Sequence, residues 1–230
     1  MKAAIVIPTY ENNIGFKLAA LDTYLKHVTG DIEIIFLYGG NDKKITRSFR
    51  SGVSYLDVYI DVPERITTLH KKFFKFLKTF KKSLLSKYDF IIKIDDDTFI
   101  NNIDDIDFSK IRGDFIGNKV KIDEISEDKI RKKLINLKRY KERNYYKHEL
   151  PESFLSGECL IISKKSLEVI LNYKGSLKRY SYGFDDIFIS KILSDNKIKF
   201  SSNKIISYEH PVTEQMFYKL YLTHYNGLIN

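Results

Sequence analysis

The sequence predicts an α/β protein in which a sheet is flanked by helices. Short apolar runs alternate along the first half of the chain with longer segments whose apolar residues recur every three or four positions. This order is typical of strands and helices that build an α/β sheet. The chain has 230 residues, of which 43% are apolar, and this length and composition are sufficient to bury a full core.

The elements of the first half follow one another in a regular order. The apolar runs predict strands at Ala3 to Ile7, Ile32 to Tyr38, Leu56 to Ile60 and Phe90 to Ile94, and the helical patterns cover Ile14 to His27 and Thr67 to Leu85. In the second helical segment, Leu69, Phe73 and Phe76 begin an apolar series opposite a side rich in lysine. This spacing predicts an amphipathic helix on the sheet. We interpret its lysines as a solvated surface.

The second half of the chain is less regular. Asp123 to Lys147 is highly charged and has a weak helical pattern, Cys159 to Ile162 predicts a strand, and Lys164 to Leu171 predicts a helix. We interpret the charged stretch as a surface helix, with a lid or an acceptor-facing excursion as the alternative. No repeat, low-complexity tract or linker marks a boundary in the sequence, so we predict one domain over residues 1–230.

Charge and cysteine content limit the classes of partner and of environment. The net charge is +9 and the isoelectric point is about 9.3, which suits nucleic acid, a membrane surface or a phosphorylated substrate. Cys159 is the single cysteine, and no Asn-x-Ser/Thr site occurs, as expected in a reducing cytosol. No apolar run resembles a signal peptide or approaches the roughly 20 residues that span a bilayer. We therefore expect a soluble cytoplasmic protein.

Three consecutive aspartates, Asp95, Asp96 and Asp97, follow the apolar run that ends at Ile94. Adjacent carboxylates at the end of a buried strand repel one another unless a cation or hydrogen-bond donors compensate their charge. Alternate side chains of an extended segment point the same way, so Asp95 and Asp97 can converge on one ligand while Asp96 faces elsewhere. Ligands of α/β sheets gather at this end of the strands. Oxygen ligands suit Mg²⁺ or Mn²⁺ that bridges to nucleotide phosphates.

Other interpretations of the aspartate run lead to other functions. Aspartates also cap turns after strands. A phosphatase with an aspartyl nucleophile requires a hydroxyl residue four positions beyond the first aspartate, where this chain has Phe99. A metal-dependent nuclease or nucleotidyltransferase needs dispersed acids around two metals, and Asp185 and Asp186 could supply them. That class remains the alternative, together with a noncatalytic basic domain that binds nucleic acid.

The segment Lys93 to Asn101 resembles the Lys-x-Asp-Asp-Asp-x-Phe-Val-Asn signature of the beta-1,3-galactosyltransferase and Fringe family of glycosyltransferases. Three further segments resemble family motifs and follow the family's order. Thr67, Thr68 and Lys72 resemble its Leu-Thr-x-Lys helix. Phe154 to Ser163 resembles its glycine-containing segment, and Phe184 to Ile187 resembles its Glu-Asp-Val motif. Separately, Ile5 to Glu11 looks like the first strand and nucleotide-contacting turn of GT-A glycosyltransferases.

The resemblance implies a GT-A, Rossmann-like fold with a mixed, mainly parallel central sheet flanked by helices. Residues 1–100 would bind the nucleotide sugar, and residues 101–230 would face the acceptor. The implied reaction moves a sugar from a UDP-sugar donor to a hydroxyl of a glycan, a lipid-linked acceptor or a protein, with inversion. Mn²⁺ or Mg²⁺ would neutralise the charge that develops on the diphosphate. No specific nucleic acid is then expected, and the basic surface could contact an anionic surface.

The resemblance also implies a metal site and a catalytic base. Asp97 would bind the metal directly, Asp95 would contact the ribose or the metal through water, and Asp96 would support the sugar or the loop. His210 would complete the metal site, as a late histidine does in several GT-A enzymes, and a nitrogen ligand favours Mn²⁺. Asp186 matches the family's candidate base, and Asp185 beside it would raise the pKa of one of the two carboxyl groups. A helix N-terminus is the competing interpretation of this pair.

The predicted nucleotide contacts lie after the first strand, after the Leu56 to Ile60 strand, in the amphipathic helix and in the aspartate run. The full set is Pro8, Thr9, Tyr10, Glu11, Asp61, Lys72, Asp95 and Asp96. Thr9, Tyr10 and Glu11 would hold uracil and ribose, although turn chemistry explains them equally well.

The sequence departs from the better-known family members in two ways. It lacks their membrane anchor, paired cysteines and glycosylation sites, which suits a bacterial or viral enzyme that works in cytosol. Ser156 to Cys159 replaces the glycine-rich motif of the family. We expect this segment to line the acceptor side, with Glu158 in contact with sugar hydroxyls.

Overall fold

The computed structural model describes residues 1–64, 69–103, 106–107, 110–121, 153–174, 185–202, 206–211 and 213–225. The charged stretch Asp123 to Lys147, the pair Thr67 and Thr68, and Phe184 lie outside the described residues. The described strands are β1 (Ala3–Pro8), β2 (Ile32–Gly40), β3 (Lys44–Arg50), β4 (Val53–Asp61), β5 (Phe90–Ile94), β6 (Phe99–Ile100), β7 (Phe115–Gly117), β8 (Lys119–Lys121), β9 (Ser153–Leu155), β10 (Cys159–Ser163), β11 (Phe200–Ser202) and β12 (Tyr208–Glu209). The described helices are α1 (Ile14–Asp22), α2 (Leu69–Thr79), α3 (Lys81–Lys87), α4 (Lys164–Asn172), α5 (Asp185–Asp195) and α6 (Glu214–Tyr225).

An eight-stranded sheet with the order β11-β7-β10-β5-β1-β2-β4-β3 forms the centre of the fold. Strands β5, β1, β2 and β4 pair in parallel. Strand β10 runs antiparallel to both β5 and β7, and β3 runs antiparallel to β4. Since β11 is parallel to β7, β3 and β10 are the two strands of this sheet that oppose the common direction. The predicted α/β class with a mixed, mainly parallel sheet is therefore confirmed.

Both faces of the sheet are covered. Along β1, Ile5 and Ile7 belong to one buried cluster, whereas Ala4 and Val6 belong to the other. The first cluster also contains Phe217 of α6, and the second contains residues of α2, α3, α4 and α5. Strands that are buried on both faces have nearly continuous apolar sequences, which is why the central strands are visible in the sequence as apolar runs.

Strand β3 was not predicted, and the reason is its exposure. All seven of its residues are exposed or partly exposed. Since neither face of the strand is buried, its sequence does not alternate between apolar and polar residues. It forms a hairpin with β4 through a turn in which Ser51 and Gly52 both have positive φ, at 50° and 82°. Positive φ at both central residues is the requirement of the type I′ turn that joins two-residue hairpins.

The two helices that the sequence predicts in the first half of the chain are each interrupted. The pattern from Thr67 to Leu85 forms two helices, α2 and α3, with Phe80 between them at φ −102° and ψ 15°. The pattern from Ile14 to His27 forms α1 and a short 3₁₀ helix, Tyr24–His27, separated by Thr23 at φ −116° and ψ −107°. Apolar spacing continues across both breaks because the pieces on either side cover the same core. Among the described helices, none has the length and apolar character that a membrane span requires.

A buried ion pair links α1 to β4. Lys17 is 5% exposed, and its Nζ donates to Oδ1 of Asp57 at 2.6 Å. The same Nζ lies 4.6 Å from the ring centroid of Tyr55 and 5.0 Å from that of Phe36. The carboxylate and the aromatic faces together compensate the desolvation of this ammonium group.

We expect Lys17→Ala to lower the free energy of unfolding by about 3–5 kcal/mol, because Asp57 would remain partly buried without its counterion. Urea denaturation monitored by circular dichroism measures this change. The control is Lys44→Ala on the exposed strand β3, which should change stability by less than about 0.5 kcal/mol. Equal effects of the two substitutions would contradict the expectation.

Candidate active site

The aspartate run lies between two strands that belong to different sheets. Strand β5 ends at Ile94 in the eight-stranded sheet, and β6 begins at Phe99 in a two-stranded sheet with β12. Strand β10 pairs with β5 so that Cys159 faces Ile94, which brings Glu158 beside Asp95. The Asp95 amide donates to the Glu158 carbonyl at 3.2 Å. Strand β12 pairs antiparallel with β6, and His210, the residue after β12, therefore lies beside Asp97.

Asp96 connects the run to the turn after β1. Its Oδ2 accepts hydrogen bonds from Thr9 Oγ1 at 2.6 Å and from Asn13 Nδ2 at 3.0 Å. Burial raises the pKa of this carboxyl group, although both hydrogen bonds act in the opposite direction. Asp96 therefore holds the turn in place, and its side chain faces Thr9 and Asn13.

Asp95 is paired with a lysine that the core buries. Lys93 is 1% exposed, and its Nζ donates to Asp95 Oδ1 at 2.5 Å and to the Gly157 carbonyl at 2.9 Å. A Cβ atom at Gly157 would lie 3.1 Å from this Nζ and 3.3 Å from Cβ of Asp186. A glycine therefore allows the segment before β10 to approach both the lysine and the start of α5. The Gly157 amide donates to Asp186 Oδ2 at 3.2 Å.

Asp97 and His210 are the predicted ligands that the structure places side by side. Asp97 Oδ1 and His210 Nδ1 are 3.8 Å apart, and the two side chains are 53% and 39% exposed. Neighbouring ligands of an octahedral ion at about 2.1 Å lie about 3 Å apart, so a closer approach of these two side chains would allow them to share one divalent ion. Among the residues that the structure describes, no group of three or more histidine, cysteine, aspartate or glutamate side chains is arranged for a metal. Mg²⁺ and similar ions often take one or two protein ligands and complete their coordination with substrate phosphates and water, and the pair fits that kind of site.

Glu158 holds the far side of His210. Its Oε1 lies 2.9 Å from His210 Nε2, and its Oε2 accepts from the Tyr208 hydroxyl at 2.8 Å. Burial by itself raises the pKa of Glu158, but hydrogen bonds from Tyr208, Ser156 and His210 outweigh it and lower the pKa. Burial and the neighbouring Glu158 raise the pKa of Tyr208. Both carboxylate oxygens of Glu158 are therefore engaged by protein groups.

Lys72 supports the turn after β1 from the other side. Its buried Nζ donates to the Thr9 carbonyl at 2.6 Å and to Glu64 Oε1 at 2.7 Å, and it lies 4.4 Å from the ring centroid of Tyr10. The second oxygen of Glu64 accepts from the Gly39 amide. Pro8, the last residue of β1, is buried next to this turn. Lys72 thus joins α2 to the end of β1.

The remaining predicted site residues are placed as follows. Glu11 is exposed in the 3₁₀ helix Glu11–Asn13. Asp61 ends β4, is 66% exposed and pairs with Lys75 at 3.2 Å. Asp186 lies in the first turn of α5, where its Oδ1 accepts from the Ile187 amide at 2.7 Å. Asp185 begins this helix, and its side chain lies outside the described residues.

Sequence reasoning assigned no site role to four residues that hold the site together, namely Asn13, Glu64, Lys93 and Tyr208. Lys93 carried a usable signal, because it stands inside the apolar strand Phe90–Ile94, and a lysine in a buried strand is rare unless it is paired. Asn13 and Tyr208 act through partners 83 and 50 positions away, and Glu64 joins Lys72 to the distant Gly39 amide, so local patterns do not reveal these three residues.

The fold and the site are of the kind that glycosyltransferases use, with acidic residues at the carboxyl end of a central strand. A family model described as Galactosyltransferase matches residues 21–204. The match covers most of the chain, and the protein therefore belongs to the galactosyltransferase family, as its motifs indicate.

The other comparisons are more distant. No curated protein sequence matches the chain significantly. Among solved structures, the chain is similar to the glycosyltransferase GlyE of Streptococcus pneumoniae TIGR4, with 12% identity and a TM-score of 0.45. The similarity covers 89% of this chain and 45% of that chain, so this protein spans less than half the length of GlyE.

We expect Asp96→Ala to lower the free energy of unfolding by about 1–3 kcal/mol, because the buried Thr9 hydroxyl would lose its acceptor. Thermal unfolding followed by circular dichroism measures the change. Asp31→Ala is the matched control, since Asp31 is exposed and precedes β2 at the opposite end of the sheet. A wild-type melting temperature for Asp96→Ala would show that this carboxylate does not stabilise the turn.

Proposed function

We propose that this protein is a metal-dependent glycosyltransferase that moves a sugar from a UDP-sugar donor to a hydroxyl of a glycan, a lipid-linked acceptor or a protein, with inversion. The observation that carries the proposal is the juxtaposition of Asp97 and His210 at the carboxyl end of β5 in a chain of the galactosyltransferase family. Together they offer one carboxylate and one imidazole to an ion that a diphosphate would share.

In this proposal, Asp97 and His210 hold Mn²⁺ or Mg²⁺, and the nitrogen ligand favours Mn²⁺. The bound ion would offset the negative charge that the departing diphosphate gains. Asp95, which is 38% exposed, is oriented by Lys93 and would contact the ribose or a metal-bound water. Asp96 contributes through Thr9 and Asn13, because its hydrogen bonds keep the turn after β1 in one conformation.

The nucleotide would lie over the ends of β1 and β4. Thr9, Tyr10 and Glu11 form the turn after β1, and Lys72 supports the turn through the Thr9 carbonyl and the Tyr10 ring. We propose that Pro8 to Glu11 hold the uracil and ribose, with Asp61 at the edge of the base site. Preorganised turns of this kind reduce the entropy that binding costs.

Asp186 is the proposed base that removes the proton of the acceptor hydroxyl. The amides of Gly157 and Ile187 each donate to one of its oxygens, which orients the carboxylate. Gly157 also ties Asp186 to Lys93 and hence to Asp95. Asp185 would modulate the base from the neighbouring position. This connection between the two carboxylate motifs supports a single site for donor and acceptor.

The proposed setting is the cytoplasm, with residues 1–230 acting as one domain. The net charge of +9 suits contact with an anionic surface or acceptor. A two-metal nuclease would require several carboxylates around two ions. The family and the paired arrangement of Asp97 and His210 favour sugar transfer instead, and no specific nucleic acid is proposed.

We expect UDP together with Mn²⁺ to raise the melting temperature by about 5–10 °C at concentrations 100-fold above the dissociation constant. Asp97→Ala should abolish the part of this shift that depends on Mn²⁺, because it removes the proposed carboxylate ligand. Differential scanning fluorimetry with UDP alone, Mn²⁺ alone and both together measures the effect.

Asp31→Ala is the matched control for this experiment and should behave as the wild type. A melting temperature of the wild type that responds to neither UDP nor Mn²⁺ would contradict the proposed function. A screen of UDP-sugars for UDP release then identifies the donor.

We expect Asp186→Asn to retain UDP binding but to lower the rate of transfer to an acceptor by about 10²–10⁴-fold, since the amide cannot accept a proton. Single-turnover transfer with the donor found in the screen measures this loss. Asp195→Asn, at the other end of α5, serves as the control and should transfer normally. Undiminished transfer by Asp186→Asn would remove Asp186 from the role of base.

A further inference from the structure

Three side chains form a hydrogen-bonded series that ends on His210. Asn118 Nδ2 donates to the Tyr208 hydroxyl, and this hydroxyl donates to Glu158 Oε2 at 2.8 Å. The other oxygen, Glu158 Oε1, lies 2.9 Å from His210 Nε2. The series reaches His210 from the side that is opposite to Asp97, because Asp97 lies beside Nδ1.

The contact with Glu158 decides which ring nitrogen can bind a cation. Both ring nitrogens face oxygen acceptors: Nε2 faces the Glu158 carboxylate at 2.9 Å, and Nδ1 faces the Asp97 carbonyl at 3.3 Å. A neutral imidazole carries one ring hydrogen, and the shorter, charge-assisted contact with Glu158 favours Nε2 as its position. In a neutral imidazole the other nitrogen, Nδ1, then presents a lone pair. This Nδ1 lies 3.3 Å from the Asp97 carbonyl oxygen and 3.8 Å from Asp97 Oδ1. Three electron-rich atoms thus face one another, and a cation between them would relieve their repulsion.

We propose that Glu158 is a positioning residue that keeps His210 in the Nε2–H tautomer with Nδ1 turned toward Asp97, and that Tyr208 and Asn118 hold Glu158 for this task. The inference rests on the proposed function, because it assigns the nitrogen through which His210 binds the metal. It also differs from the expected contact of Glu158 with sugar hydroxyls, since its two oxygens face His210 and Tyr208 and the side chain thus lies on the metal side of the site.

The backbone explains why this glutamate can reach the histidine. Glu158 immediately precedes β10, which pairs with β5, and His210 immediately follows β12, which pairs with β6. The two residues therefore approach the aspartate run from different sheets and meet beside it. Carboxylate groups behind a metal-binding histidine fix its orientation, and their loss typically weakens metal binding by about 10–100-fold.

The chain contains a matched pair that serves as a control. Glu209 Oε1 lies 2.9 Å from His224 Nε2, the same separation as in the Glu158 and His210 pair. Glu209 is the last residue of β12 and precedes His210, but its side chain contacts His224 of α6, whereas His210 contacts Asp97 and Glu158. Glu209→Ala therefore removes a histidine partner of the same chemistry outside the proposed metal site.

The test is a titration of Mn²⁺ at a fixed saturating concentration of UDP, read by thermal shift and by isothermal calorimetry. We expect Glu158→Ala to raise the half-saturating Mn²⁺ concentration by about 10–100-fold, whereas UDP binding without metal stays unchanged. Glu158→Gln should raise the half-saturating Mn²⁺ concentration by a smaller factor, because its amide oxygen still accepts from Nε2–H. Glu209→Ala should match the wild type.

A second measurement reads the tautomer directly and does not depend on metal. Long-range ¹H–¹⁵N spectra at pH 8, with the His210 signals assigned from His210→Asn, should show the Nε2–H tautomer in the wild type and its loss in Glu158→Ala. Should Glu158→Ala fail to fold, Tyr208→Phe provides the test, because it removes the donor to Glu158 Oε2 and should weaken Mn²⁺ binding to a smaller extent.

Two results would overturn the inference while the proposed function stands: a wild-type Mn²⁺ dependence in Glu158→Ala, or an Nδ1–H tautomer of His210 in the wild type. An equal loss of metal-free UDP binding in Glu158→Ala would also overturn it, because Glu158 would then act on the nucleotide or the fold. A wild-type protein that UDP and Mn²⁺ do not stabilise overturns the proposed function itself.

Discussion

The arrangement of the site depends on the position of the aspartate run between two antiparallel strand pairs. Strand β5 is central in the large sheet, and β6 belongs to the small sheet with β12. Ladder hydrogen bonds of these pairs determine which residues stand beside the aspartates, so Glu158 and His210 are positioned by backbone register. A slip of one residue in either pair would turn the neighbouring side chains to the opposite face. Register is strongly specified here because both faces of the large sheet are buried.

Three adjacent carboxylates are tolerated because each one has a different environment. The Lys93 ammonium compensates the charge of Asp95, and the hydroxyl of Thr9 and the amide of Asn13 satisfy Asp96. Asp97 alone among the three is mostly exposed. The repulsion that makes the run conspicuous in the sequence is thus removed by pairing, by burial and by solvent. Asp97 is therefore the most exposed of the three carboxylates, whereas Asp95 and Asp96 pair with neighbouring side chains.

Two further contacts make the site a connected unit. Lys72 fixes the turn after β1 to α2, and Lys93 fixes the segment before β10 to the aspartate run. Both ammonium groups are buried, and the cost of burying them is offset by carbonyl and carboxylate acceptors. Side chains that are held in this way keep a site close to its productive geometry. A substitution at either lysine would therefore act on the site through the backbone.

Local sequence determined the features that depend on burial and on a contiguous motif. The apolar runs of β1, β2, β5 and β10 located the centre of the sheet, and the segment Lys93 to Asn101 indicated the family. Strand β3 and the helix break at Phe80 required the tertiary structure, because an exposed strand has no apolar period and a break can leave the period unchanged.

The partners of the aspartates were also not visible in the sequence. His210 and Asp97 are 113 positions apart, and Thr9 and Asp96 are 87 positions apart. Hydrogen bonds over such separations follow from strand register, which no local pattern encodes. The sequence therefore identified the carboxylates, and the fold decided what each of them contacts.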